Sequence, residues 1–325
     1  MTLDLIVPHY KEPWETCRYL FDSIALQRGI SFNNIKVIVV NDGDCLLDES
    51  VFANYPYRIE YLVKEHGGVS AARNYGLRHS EADYVMFCDI DDGFLSNYGL
   101  HLAFSAMQEG YDYIVSNFVE ETYSAENTMT IARHDRDFTF MHGKLYRRQF
   151  LLDYDLYFDP SMTIHEDGYF NMLVYSVVKE EGKEKFIDSP FYLWRWNDNS
   201  TVRKDREDFV LKTYDEVIKT RIGLCRQLKQ RGYEDAYRIS VGMTVLNSYY
   251  DFQKTRYYLA KNEKYLRKAE KAFKAFWTEF KDVFCDLENA KIAEMAVAAR
   301  ANAYKNGMLF EQQDIRSFLR HIESV

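Results

Sequence analysis

The chain has 325 residues, 47% of them hydrophobic, and a net charge of −9: enough for a sizeable core, and too acidic for a surface that wraps nucleic acid. Its apolar runs are only a handful of residues long, and Met1 leads directly into a strand-like segment with no charged leader, so neither a transmembrane span nor a signal peptide is expected and a cytoplasmic setting is. The five cysteines (17, 45, 88, 225 and 285) are scattered and form no Cys-x-x-Cys pair, which argues against a disulfide framework or a zinc site.

Along the first two hundred residues short apolar runs alternate with amphipathic segments. That is the pattern of βαβ units, an α/β class with a mainly parallel central sheet flanked by helices. Residues 3–8 read as a strand and 13–27 as a helix. Residues 35–42 form a second strand, continuous in β-branched side chains as a strand covered on both faces should be. A third strand at 58–63, a helix at 70–79 and a fourth strand at 83–89 follow. Further on come a strand at 113–117, a polar loop around 124–128 and an extended return through 138–142. Residues 183–196 add extended structure near the sheet edge, since Pro190 argues against a central position.

From Asp205 onward the period changes to 3.6. Phe209, Tyr214, Ile218, Ile222 and Cys225 form one stripe; Tyr265, Leu266, Ala269, Phe273, Phe276, Trp277 and Phe280 form another. This places a boundary near 204, between a sheet domain (1–204) and a helical domain (205–325) of about five helices. Charge divides there too, with 18 basic against 32 acidic residues in 1–203 and 23 against 18 in 204–325. The basic side of the second stripe, with Lys264, Lys268, Lys271 and Lys274, offers contact to a polyanion or to the inner face of a membrane. Packing of the aromatic stripe against neighbouring helices is the expected alternative.

The chemistry concentrates at three strand ends. Asp89-Ile90-Asp91-Asp92 follows the fourth strand directly, and carboxylates crowded there repel unless a cation sits on them. Hard oxygen ligands suit Mn²⁺ or Mg²⁺. Asp42-Gly43 closes the second strand. Gly67-Gly68 opens a helix with Arg73 in its first turns, an arrangement suited to anions.

Taken in order, these segments resemble the family-two inverting nucleotide-sugar glycosyltransferases of GT-A fold. The matching residues are Val7-Pro8-His9-Tyr10, Val40-Asn41-Asp42-Gly43, Gly68 through Gly76, Asp89-Ile90-Asp91-Asp92, Lys144 through Leu151 and His165-Glu166-Asp167-Gly168. The resemblance covers roughly residues 3–203 and implies a UDP-sugar donor. It places Pro8 and Tyr10 in the nucleotide pocket, Asp42 as acceptor of a hydrogen bond from the base, and Arg73 near base and phosphates. Asp89 and Asp91 would be the Asp-x-Asp pair, with Asp89 toward the ribose and sugar and Asp91 on the metal. Glu166-Asp167 would supply the general base, and Arg195 or Arg203 would close on the diphosphate. His9, where small or polar residues are common, and Asp44, where Ser is usual, depart from the pattern.

Two rival readings stand beside this one. A haloacid-dehalogenase-like phosphatase shares an Asp-x-Asp motif, but its motif follows the first strand and has Thr or Val where Phe94 stands. A catalytically silent nucleotide-sugar-binding scaffold would not need Asp91 and Asp167. The acceptor is open among a glycan, a lipid-linked sugar, a protein and a modified nucleobase.

Overall fold

In the computed structural model the described residues are 1–43, 45–123, 128–198, 206–259, 262–305, 308, 311 and 313–325. Asp44, most of the polar loop at 124–128, and Arg203 lie outside them. Two compact units divide the chain, one over residues 1–200 and the other over 201–325.

Among the described residues the first unit is built on nine strands in one sheet. In chain order its elements are β1 (Leu3–His9), α1 (Trp14–Ala25), β2 (Ile35–Asp42), β3 (Arg58–Lys64), α2 (Val69–His79), β4 (Tyr84–Phe87), β5 (Gly93–Phe94), α3 (Gly99–Gln108), β6 (Tyr113–Tyr123), β7 (Met129–His134), β8 (Lys144–Arg147), α4 (Arg148–Asp153), α5 (Glu166–Glu181) and β9 (Glu184–Trp194). The strand order is β3-β2-β1-β4-β8-β6-β9-β5, with β7 beside β6. β3, β2, β1 and β4 are parallel, as expected of strands joined by crossovers. β8 enters antiparallel on both sides, so the sheet as a whole is mixed.

The β-branched strand β2 is buried along nearly its whole length between helix layers, which is why it shows no alternation. β9 lies beside the sheet edge as expected, paired with β6 on one side and on the other only, at Tyr192 and Leu193, with the two-residue β5. Pro190 is tolerated because the register jumps from Ser116 opposite Ile187 to Phe118 opposite Tyr192, leaving it in a bulge. The expected extended return at 138–142 is instead a bent connection. Asp137 Oδ1 accepts from the amides of Thr139 and Phe140 there, while β7 carries the return strand.

α2 sits unusually close to the sheet because Gly76 has no side chain. A Cβ at that position would meet Ile6 Cγ2 at 2.5 Å. Gly76→Ala is expected to cost about 1–3 kcal/mol of stability by overpacking, read as a lower denaturation midpoint in urea with unchanged m-value.

The second unit consists, among the described residues, of α6 (Arg206–Arg231), α7 (Glu234–Leu259), α8 (Glu263–Cys285), α9 (Asn289–Lys305) and α10 (Ile315–Ser324). On α8 the stripe Ala269, Phe273, Phe276, Trp277, Phe280 and Phe284 is buried inside this unit. Each large side chain contributes about 1.5–3 kcal/mol by leaving water. That apolar face is therefore used in packing and is not available for insertion into a membrane. On the other side Lys268 pairs with Asp215 at 3.2 Å and Arg267 with Glu263. No described helix is long and apolar enough to cross a membrane.

Candidate active site

The parallel strands β1, β2 and β4 end along one side of the sheet, where an open α/β sheet leaves a crevice. A cavity of about 240 Å³ lies there, lined by Pro8, Tyr10 and Glu12 after β1, Asp42 at the end of β2, Gly68 opening α2, and Asp89 and Asp91 after β4. The sequence stretches singled out above thus converge on one place.

Asp42 is buried and its carboxylate accepts from three donors. Lys64 Nζ (2.5 Å) and the Gly67 amide (2.9 Å) bind Oδ1 and the Gly68 amide (2.7 Å) binds Oδ2, while His66 Nδ1, bonded to the Asp42 carbonyl, lies 2.9 Å from Oδ2. Burial opposes its charge, but Lys64 and the two amides outweigh burial and hold Asp42 below the ordinary carboxylate range. The amides at the start of α2, which the sequence offered to an anion, are thus engaged by Asp42 itself. Gly68 reaches this geometry at φ 86°, a region open to glycine. His9, which also lines the cavity, is buried against Asn41 Nδ2 (3.0 Å) and the Glu12 carbonyl (2.9 Å).

Arg73 ties two acidic segments together. Its buried guanidinium forks between Asp89 (2.9 Å) and Glu166 (3.0 Å), tying the end of β4 to the start of α5. Burial opposes ionisation of Asp89, yet Arg73 holds its proton affinity low. Next to Glu166, Asp167 accepts from the Gly168 amide at 2.7 Å. Burial first and the Glu166 charge second push it up to about 7, against the pull of Arg73. His165, at φ 60°, makes the turn into α5 that presents both acids.

Asp92 is fully buried and is a structural tie. It accepts from Tyr192 Oη (2.9 Å) and from the Arg195 amide (3.0 Å), anchoring the end of β9 to the acidic turn. Burial, then the charges of Asp91 and Asp89, raise its proton affinity well above the usual carboxylate value. His142 Nδ1 lies 3.5 Å from the same carboxylate, and burial holds the imidazole neutral, down to about 3. The Arg195 guanidinium lies 3.9 Å over the Tyr19 ring and donates to the Asp91 carbonyl at 3.3 Å. His134 pairs with Glu120 at 2.8 Å and stacks on Phe118, a packing role.

Two sets of ligand atoms could hold a divalent cation. Asp91 opens on the cavity together with Asp89 and Glu12, and the charge of Asp91 adds to burial in raising the proton affinity of Glu12. Carboxylates gathered on one cavity offer hard oxygen ligands to such a cation. The other set, Asp89, Asp92 and His142, has ligand atoms within 4.8 Å of one another, but its Asp92 is already bonded to Tyr192 and Arg195.

Sequence reasoning missed Glu12 and His66 on the cavity, Lys64, which donates to Asp42, and Asn197, whose Nδ2 donates to Asp91 Oδ2 at 2.8 Å. Asn197 and His66 stood beside quoted motifs. Nothing in the local pattern marked Glu12.

Residues 4–164 match the model of Glycosyl transferase family 2. The chain is 29% identical over 222 residues to the uncharacterized glycosyltransferase EpsJ of Bacillus subtilis (strain 168), a match covering 61% of this chain and 62% of that relative, less than two thirds of its length. Its structure is similar to that of S. aureus TarS 1-349 in complex with UDP (TM-score 0.55, 19% identity, 96% of this chain and 93% of that one). It is also similar to the mannosyltransferase PcManGT from Pyrobaculum calidifontis in complex with GDP-Man and Mn²⁺ (TM-score 0.51, 13% identity, 99% and 84%). At these identities the structural likeness concerns the fold, and the sequence match is what carries the family. The chain therefore carries a glycosyltransferase family 2 domain of GT-A fold.

Proposed function

We propose that this chain transfers a sugar from a nucleoside diphosphate donor, UDP by preference, to an acceptor hydroxyl, with inversion at the anomeric carbon and with Mn²⁺ or Mg²⁺ as cofactor. The observation that carries the reading is the Arg73 fork. It fixes Asp89, on the cavity wall, and Glu166, beside Asp167, in one ion-paired unit.

Asp42 favours bases that present a ring N–H, such as uracil or guanine, and repels those that present a lone pair there. The UDP held by the similar TarS structure supports uracil, and the GDP-Man of PcManGT makes guanine the second candidate. Asp91 and Asp89 would hold the cation, whose contribution when bound is to stabilise negative charge on the departing diphosphate. Asp167 takes the proton from the acceptor hydroxyl, and its raised proton affinity suits that task near neutral pH. Arg195, which donates to the Asp91 carbonyl, would meet the diphosphate. A single displacement with a base on the opposite side inverts the anomeric centre. The helical segment 205–325 is assigned a part in acceptor choice.

The test is a comparison of UDP and CDP binding by calorimetry. The native chain should prefer UDP, and Asp42→Ala should weaken UDP by about tenfold or more whichever sugar is attached, the worth of a hydrogen bond to a charged group. Since Asp42 also anchors Gly67 and Gly68, Asp42→Asn is the cleaner arm. Its amide can donate to cytosine and should narrow the gap between UDP and CDP. If either change alters only sugar preference, the base sits elsewhere.

A further inference from the structure

Tyr10 and Asp42 are the two groups of the cavity that suit a nucleobase, one by its ring face and the other by its acceptor oxygens. Both are already engaged by one side chain of this chain. The His66 ring stacks on Tyr10 with centroids 4.4 Å apart and planes at 22°, the geometry of an aromatic pair. The same ring places Nδ1 2.9 Å from both the Asp42 carbonyl and its Oδ2. Near the Tyr10 ring there is also Lys11 Nζ, 4.5 Å from its centroid. With His66 in place the cavity is about 240 Å³, below the roughly 300–1,000 Å³ usual for pockets that enclose a ligand. The His66 side chain is 57% exposed, so it can swing toward solvent without moving a packed element.

We propose that His66 is a built-in competitor for the nucleobase. It occupies the ring face of Tyr10 and the oxygens of Asp42 in the free protein, and the base of the donor must displace it. This rests on reading the cavity as the nucleotide site. His66 thereby sets donor affinity and selects bases able to replace both of its contacts, a ring face and an N–H. A nucleotide lacking either pays for the displacement without regaining it. If the open arrangement holds about a tenth of the molecules, apparent affinity is reduced about tenfold.

The experiment is calorimetric titration of the full chain, with Mn²⁺ present, against UDP and against inorganic pyrophosphate, which has no base. His66→Ala should tighten UDP by about five- to tenfold and leave pyrophosphate unchanged. Because the side chain is largely exposed, the thermal midpoint should stay close to the native one. In the Tyr10→Ala background the gain from His66→Ala should shrink, since the competitor loses one of its two contacts. UDP binding that is unchanged or weaker in His66→Ala overturns the proposal while leaving the nucleotide site standing. Equal tightening of UDP and pyrophosphate also overturns it, because the effect would then not pass through the base. If neither the native chain nor the variant binds UDP or GDP, the nucleotide reading falls, and the proposal with it.

Discussion

Asp167→Asn should leave UDP affinity within about twofold of native and lower sugar transfer by roughly a hundred- to ten-thousand-fold, the usual worth of a positioned general base. Glu166→Gln should cost less, because Glu166 acts on the site through Arg73. The reverse ranking would move the base role to Glu166. The same substitution has a signature in stability. Burial and Glu166 raise the proton affinity of Asp167 in the folded state, so the native chain holds this proton more tightly than the unfolded chain does. The resulting stabilisation is fully present below the unfolded carboxylate value near 3.8 and is lost as pH rises through about 7. An amide carries no charge to bury. Asp167→Asn should therefore melt a few degrees higher than native at pH 8, and the difference should vanish below about pH 4. On the rate side, native activity should fall as pH drops through about 7, where Asp167 becomes protonated. A rate profile flat from pH 5.5 to 8.5 would exclude it as the base.

Asp91→Asn should remove the dependence of UDP affinity on Mn²⁺ and lower turnover by at least a hundredfold. Asp91 lines the cavity described above and also a neighbouring one of about 280 Å³, shared with Glu15, Thr16, Arg195, Trp196 and Asn197. It is thus the carboxylate common to both sides of the acidic turn. Neutralising it also relieves Glu12, which should become easier to ionise. Asp92→Asn should behave differently. The amide keeps a contact with Tyr192 or Arg195 but not both in their present roles, so the loss should fall on stability and on the ordering of Arg195, with the Mn²⁺ dependence of UDP binding retained. If Asp92→Asn abolishes that dependence and Asp91→Asn does not, the cation belongs to the set with His142.

The sequence was most legible where one local rule sufficed. Continuous β-branched residues marked β2 because both its faces are covered, and a 3.6 period marked α8 because one face carries six buried side chains. It was less legible where pairing is non-local. Pro190 argued against a central strand, but the bulge of β9 that holds it between two registers with β6 was not legible. In the site, motif order pointed to Pro8, Tyr10, Asp42, Asp89 and Asp91, and all five line one cavity. The place of Arg73 was not legible, since its partners are 16 and 93 residues away and only the fold brings Asp89 and Glu166 to one guanidinium. Nor was the saturation of Asp42 by Lys64 and two amides, because spacing alone does not say which donors a buried carboxylate has already taken.

The most direct test of the central claim is release of UDP from a panel of UDP-sugars incubated with the full chain and Mn²⁺. Slow hydrolysis of a preferred donor should occur even before an acceptor is found, should stop in excess EDTA, and should be lost in Asp91→Asn. UDP-sugars that stay intact and unbound with and without Mn²⁺, together with release of inorganic phosphate from a simple phosphomonoester, would contradict the account and point to a phosphatase.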